Sequence, residues 1–307
     1  MARAPGSHNP PKPIKSNRQK AKSMLTKKLI RAMIRGAIRL GYRNPYVVRL
    51  RNQYMVLERK VSLNRVLKRA CPDGVVLGGP FSGLKYPRMQ AWGSVLVPKL
   101  LGTYEKELHA ILNRLDYERY SVIIDIGAAE GYYAIGLARK APHAMVVAFE
   151  CDPGGQALLR QMAELNGVQE RVRVLGRCDA GELARVSTAA AGLIVCDCEG
   201  AEDQIFGPPF LPQVLGFDLL VETHDFLVPG VSWRLQERFQ STHRVTVILS
   251  VERFEADFPA LGHEYRFEKL YALHEGRPCP MQWLWLESKL RTSSPPCGER
   301  SFKAVVS

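Results

Sequence analysis

The sequence predicts an α/β fold built on a doubly wound, largely parallel sheet. Three observations carry this. From Val122 onward, short β-branched runs alternate with segments of helical period, the pattern of strands joined by crossover helices. The first run, VIIDI, passes through Gly127 and Gly131 into the helical stretch YYAIGLA. An acid then stands at or shortly beyond the end of each of the first five runs, where open α/β sheets bind their ligands. In chain order the expected strands are VIIDI (122–126), MVVAFE (145–150), VRVL (172–175), LIVCD (193–197), LLVE (219–222), RVTVILSV (244–251) and QWLWL (282–286). Helices fit between them at 132–140, 155–166 and 231–242.

Ahead of this core, residues 71–120 read as an N-terminal extension. GVVLGGPFSGLKY offers strand residues broken by Gly and Pro, a hairpin-like stretch. GTYEKELHAILNRL then places Tyr104, Leu108, Ile111, Leu112 and Leu115 at helical spacing. The first 70 residues differ in kind. They hold 19 Lys and Arg against one acid, Glu58, so the net charge of +13 belongs to this arm and the remainder is mildly acidic. Residues 1–23, Pro-rich and polar, are expected to be disordered. Residues 24–70 read as a basic helical arm. Leu25, Leu29, Ile30, Met33, Ile34, Ala37 and Ile38 share a stripe opposite Lys27, Lys28, Arg31, Arg35 and Arg39, and Gly41 ends that helix. Such an arm can lie on an anionic membrane surface, follow the phosphates of RNA, dock on its own domain, or serve as a mitochondrial transit segment. Residues 121–290 form the expected catalytic domain and 291–307 a flexible tail.

The seven cysteines are scattered, with no C-x-x-C pair, which supports neither a zinc knuckle nor a disulfide framework. No apolar run reaches the roughly 18 residues of a membrane span. A cytoplasmic protein with reduced thiols, peripheral to a membrane at most, is expected.

The acids decide which nucleotide suits the pocket. A dinucleotide brings an anionic pyrophosphate and a G-x-G-x-x-G turn; here the spacing is Gly127-x-x-x-Gly131, with Asp125 ahead of it. S-adenosylmethionine has no phosphate and presents an ammonium, a sulfonium and a ribose diol, all suited to carboxylates. The expected cofactor residues are Asp125, Gly127, Ala128 and Gly131 in the first turn and Glu150 on the ribose. Asp179 is expected beside the adenine, or else as the N-cap of a helix starting at Gly181. Asp197 stands at the methyl end.

VIIDIGAAEGYYAIGLA, VVAFECDP and LIVCDCEGAEDQIF resemble class I methyltransferases, and the D-x-E-G-A-E segment is similar to the FkbM-type branch. The resemblance spans roughly residues 98–290. It implies a seven-stranded Rossmann-like sheet, S-adenosylmethionine as cofactor, and often O-methylation of a sugar or natural-product hydroxyl. Asp125, Gly127 and Gly131 match the first motif, Glu150 the ribose acid, and Asp197, Glu199 and Glu202 the fourth-strand motif. Glu130 stands where a small amide is commoner in that branch, Cys198 where an aliphatic is usual, and the basic arm lies outside the pattern.

Methyl transfer to oxygen requires alignment of the acceptor and a base for its proton. Asp197 and Glu199 in CDCEGAE, and Glu222 and His224 in LLVETHDF, are the candidate catalytic residues, with His224 titrating near neutrality. Glu202 is read as an acid favouring its helix N-terminus. Asp197, Glu222 and Asp225 could hold Mg²⁺, but no metal ligand is assigned. The fourth-strand loop lacks the N/D-P-P-Y/F pattern of base N-methylation. The expected acceptor is therefore a sugar, glycan or other small molecule, with RNA methylation through the arm, or a non-catalytic adaptor on the same fold, as alternatives. No obligate protein partner is inferred.

Overall fold

The computed structural model describes residues 45–187, 191–254 and 274–290, together with Ala32 and Gly36, both helical. The expectations for residues 1–23, for most of the stripe at 25–38 and for the tail at 291–307 lie outside these. The chain divides into two compact units, residues 1–61 and 62–307. A helix over Pro45–Ala70 has no acid in its first turn and Lys68 and Arg69 in its last, which suits the negative C-terminal end of its dipole. In the second unit, Val66 and Leu67 at the end of this helix are buried. No helix among the described residues is long and apolar enough to cross a membrane.

The second unit is built on a seven-stranded sheet of order β3-β2-β1-β4-β5-β7-β6. Its strands are β1 Val122–Ile126, β2 Met145–Phe149, β3 Val172–Leu175, β4 Gly192–Cys196, β5 Phe217–Thr223, β6 His243–Leu249 and β7 Gln282–Ser288. The first five pair in parallel, while β7 runs antiparallel to both β5 and β6. β1, β4 and β5 are buried along their whole length, as expected for strands covered on both faces. One apolar cluster unites Ile123, Ala134, Leu159 and Leu193 with Phe81, Leu100 and Leu112 of the extension. The other unites Ile124, Ile194 and Leu219 with Val231, Leu235 and Phe239.

Register aligns the strand ends. Ile126 faces Phe149 on one side and Cys196 on the other, and Cys196 faces Val221. The acids next in line, Glu150, Asp197 and Glu222, therefore share one rim with Asp125.

The helices are Tyr132–Lys140, Pro153–Leu165 and Val231–Phe239, with shorter ones between. Pro153–Leu165 starts two residues before the expected helix because Asp152 caps it, accepting from the Gly154 and Gly155 amides. β5 begins at Phe217, ahead of the expected Leu219. Its buried acid, Asp218, is satisfied by Tyr120 Oη at 2.7 Å and the Ser288 amide at 2.9 Å. The extension is more broken than its periodicity predicts. Only Val75 and Lys85 bridge as strands. The helix expected through 102–115 is reduced to a 3-10 turn, Lys106–Leu108, and the short His109–Leu112. Gly102, at φ 77°, ends the preceding helix Leu96–Leu101, and a Cβ there would lie 2.2 Å from the Gly78 backbone. Close approach of the two segments outweighs helical spacing.

Candidate active site

A cavity of about 430 Å³ opens beyond the carboxyl ends of β1, β2 and β4. Its floor is the first glycine turn. Gly127 has φ +84°, and a Cβ on it would sit 1.8 Å from the Asp197 carbonyl oxygen, so the β1 and β4 loops can meet only over a glycine. The amides of Gly127 and Ala128 both donate to the Phe149 carbonyl, at 3.0 and 2.9 Å. Glu150 closes the turn from the other side: its Oε2 accepts from the Ala129 amide at 2.8 Å and its Oε1 from the Asp152 amide at 2.7 Å. Asp125, Gly127, Ala128, Glu150 and Asp197 all line the cavity.

Two expected cofactor residues are placed elsewhere. Gly131 caps Tyr132–Lys140 at φ 97° and is not among the lining residues. A Cβ there would lie 2.9 Å from Leu159 Cγ, so it serves helix packing. Asp179 turns toward the helix Ala180–Val186, accepting from the Glu182 amide at 2.9 Å, while Arg177 and Cys178 line the wall. The N-cap alternative is the one its geometry matches.

Asp125 is 2 % exposed and its Oδ2 has no hydrogen-bond partner among the described residues. Burial pushes its carboxyl up to about 7, against the Ala134 amide that favours the charged form. Glu105, buried at φ 48°, is likewise pushed up to about 8 by burial, although Arg277 and the Tyr133 hydroxyl counteract this. Both groups hold protons in the native state that the unfolded chain releases near pH 4. Their contribution to stability is complete below that and is lost as pH rises through 7 and 8. His109 and His243, lowered by burial, oppose this only below about 6.5. The melting temperature is therefore expected to fall between pH 6.5 and 8.5, measured by calorimetry. A rise across that window would contradict buried, protonated carboxyls.

The four candidate catalytic residues converge, Asp197 and Glu199 lining the cavity and His224 and Glu222 lying behind them. His224 is 2 % exposed, and its Nδ1 lies 2.7 Å from Glu202 Oε1. A carboxylate only accepts, so Nδ1 carries the hydrogen. Nε2 then lies 3.5 Å from Asp197 Oδ1, 3.5 Å from Glu199 Oε2 and 3.9 Å from Glu222 Oε2. Burial would lower the imidazole, yet Glu202, Asp197 and Glu199 raise it above its ordinary value. Burial also raises Asp197 and Glu222, reinforced for Glu222 by Asp197 and Glu105. For Glu202 burial is outweighed by the bonds from His224 and the Gly200 amide, and its carboxyl is lowered. Glu202 stands in the first turn of the short helix Glu202–Ile205, where an acid was expected, and its completely buried carboxyl also orients His224. Asp225 turns away, accepting from Ser232 Oγ at 2.9 Å, which removes it from the Mg²⁺ set.

Several site residues escaped sequence reasoning. Trp92, Lys99 and Tyr104 of the extension line the cavity with Tyr132. Lys99 reaches the buried Glu130 at 2.6 Å, and Glu130 also accepts from the Trp92 amide and the Tyr86 hydroxyl. Arg277 bonds Glu105, Glu222 and Glu275. The one signal available was Glu130 itself, an acid where a small amide was expected.

No protein-family profile matches the chain, and no curated protein does. Solved structures do resemble it. Precorrin-6y C5,15-methyltransferase of Geobacter metallireducens is 17% identical over 58% of this chain and 86% of that one, with a TM-score of 0.41. A proposed O-methyltransferase of Klebsiella pneumoniae is 18% identical over 74% and 90%, also at 0.41. TrmN of Thermus thermophilus is 17% identical over 58% and 47%, at 0.38. Likeness at this level says nothing of the acceptor. The seven-stranded mixed sheet with helices on both faces is a doubly wound, Rossmann-like architecture.

Proposed function

We propose that the chain is an S-adenosylmethionine-dependent methyltransferase, FkbM-like in its motifs, acting on a hydroxyl of a sugar, glycan or other small molecule. The observation that carries the reading is the cavity itself. Its lining includes a buried carboxyl with an orphaned oxygen, Asp125, and the acids Asp197 and Glu199, behind which the His224 imidazole stands at 3.5 Å. The residues fit the cofactor. Asp125 Oδ2 lacks a partner that an ammonium supplies, Gly127 and Ala128 bring bare backbone to the wall, and Glu150 faces the cavity with lone pairs left for a ribose diol.

When bound, the cofactor supplies an electrophilic methyl group. The chain's own task is to hold the acceptor oxygen and take its proton. Asp197, half-open to the cavity, is the acid nearest the acceptor, and Glu202 fixes His224 so that Nε2 points at it. Glu222, braced by Arg277, completes the cluster. Trp92, Tyr104 and Tyr132 form an aromatic wall of the cavity.

The test is a calorimetric titration with S-adenosylhomocysteine, which needs no acceptor. Wild type is expected to bind at micromolar concentration. Glu150→Gln and Asp125→Asn each remove a charge-assisted bond of about 1–3 kcal/mol, a loss of roughly ten- to a hundred-fold in affinity. A folded wild-type protein that does not bind would end the proposal.

A further inference from the structure

We infer that Asp197, Glu199 and His224 form a site for a divalent transition-metal ion, held by two carboxylate oxygens and one imidazole nitrogen. Their ligand atoms all lie within 4.8 Å of one another. His224 Nε2 is 3.5 Å from each carboxylate oxygen. That is long for a hydrogen bond, but close to the roughly 3.4 Å edge of a tetrahedron of ligands about 2.1 Å from a central ion.

His224 Nε2 and Asp197 Oδ1 face each other across this space. The His224 side chain is 3 % exposed, its one hydrogen bond among the described residues runs through Nδ1 to Glu202, and Nε2 faces the carboxylates, where an ion would take the place of its proton. Asp197 Oδ1 is buried without a hydrogen-bond partner. The Glu202–His224 pair is itself the arrangement by which a carboxylate fixes the tautomer of a metal-binding histidine.

Charge points the same way. Four carboxylates, Asp197, Glu199, Glu202 and Glu222, surround one imidazole. Of the nearby cations, Arg277 is bonded to Glu222 and Glu105, and Lys99 to Glu130. A second acidic triad, Glu105, Asp197 and Glu222, carries no such argument, because Arg277 already bridges two of its members. One nitrogen and two oxygens form a donor set of borderline softness, which favours Mn²⁺, Co²⁺ or Zn²⁺ over Ca²⁺. Asp197 and Glu199 line the cavity, so the ion's remaining positions open toward the acceptor. That role rests on the methyltransferase reading; the site itself does not.

The experiment takes the full chain, stripped with chelator, and titrates it with Mn²⁺ followed by the spin resonance of the free ion, and with Co²⁺ followed by visible absorption. One equivalent is expected to bind. Glu199→Gln alters a side chain that is 74 % exposed, so it leaves folding intact, and it should weaken binding at least ten-fold. Glu202→Gln should weaken it about 10–100-fold through the positioning of His224. His224→Gln should change the Co²⁺ spectrum by loss of a nitrogen ligand. Absence of saturable binding by wild type, or an affinity unchanged in both Glu199→Gln and His224→Gln, overturns the site. S-adenosylhomocysteine titrated into the same samples separates the two failures: its binding without metal binding removes the metal site alone.

Discussion

Gly127→Ala is expected to lower the melting temperature by about 6–12 °C and to eliminate S-adenosylhomocysteine binding. Two independent penalties act at this position. A side chain at φ +84° is strained, which costs about 1–2 kcal/mol. The new methyl would also lie 1.8 Å from the Asp197 carbonyl oxygen, and neither partner is a flexible side chain able to yield. Relief requires parting the β1 and β4 loops, which brings the total to about 3 kcal/mol or more. A unit of this size loses about 2–4 °C per kcal/mol. Gly167→Ala isolates the first penalty: φ is +67° there with nothing within 4 Å of the added carbon. It should cost only about 1–2 kcal/mol and leave cofactor binding unchanged. Calorimetry on both variants decides the matter, and equal losses would show that the loop contact contributes nothing.

The contrast between these glycines also shows what the sequence made legible. Strands β1 and β3 and the helix Tyr132–Lys140 fall where periodicity placed them, because local patterning and tertiary burial agree there. The row of acids was legible for a related reason: parallel strands in register bring their carboxyl ends to one rim, so a local rule yields a non-local juxtaposition. What stayed hidden depends on contacts between distant segments. Glu105 meets Arg277 across 172 residues, Glu130 meets Tyr86 across 44, and His224 meets Glu202 across 22. No spacing announces such pairs. Asp179, expected beside the adenine or else as an N-cap, matches the cap for a local reason, since its Oδ1 accepts from the Glu182 amide.

Lys99→Met is expected to destabilise the protein by about 3–5 kcal/mol, the usual consequence of leaving one partner of a buried ion pair behind. Lys99 and Glu130 stand 2.6 Å apart with side chains 4% and 0% exposed. The ammonium also lies 4.8 Å from the Tyr104 ring centroid and 5.2 Å from that of Tyr132. Methionine keeps the length and the ring contacts but removes the charge, so Glu130 retains only the Trp92 amide and the Tyr86 hydroxyl. The double variant Lys99→Met/Glu130→Gln removes both charges, keeps one oxygen to accept from the Trp92 amide while its Nε2 donates to the Tyr86 hydroxyl oxygen, and should recover more than half of the loss. A double variant no more stable than Lys99→Met would show that the unpaired charge is not what destabilises. The effect should reach the cavity as well. Glu130 sits at the start of Tyr132–Lys140, and through Lys99 and Trp92 it fastens the extension over the first glycine turn. Lys99→Met should therefore speed amide exchange through 86–104 and weaken S-adenosylhomocysteine binding, whereas a substitution that merely lowered global stability would leave the affinity of the folded molecules unchanged.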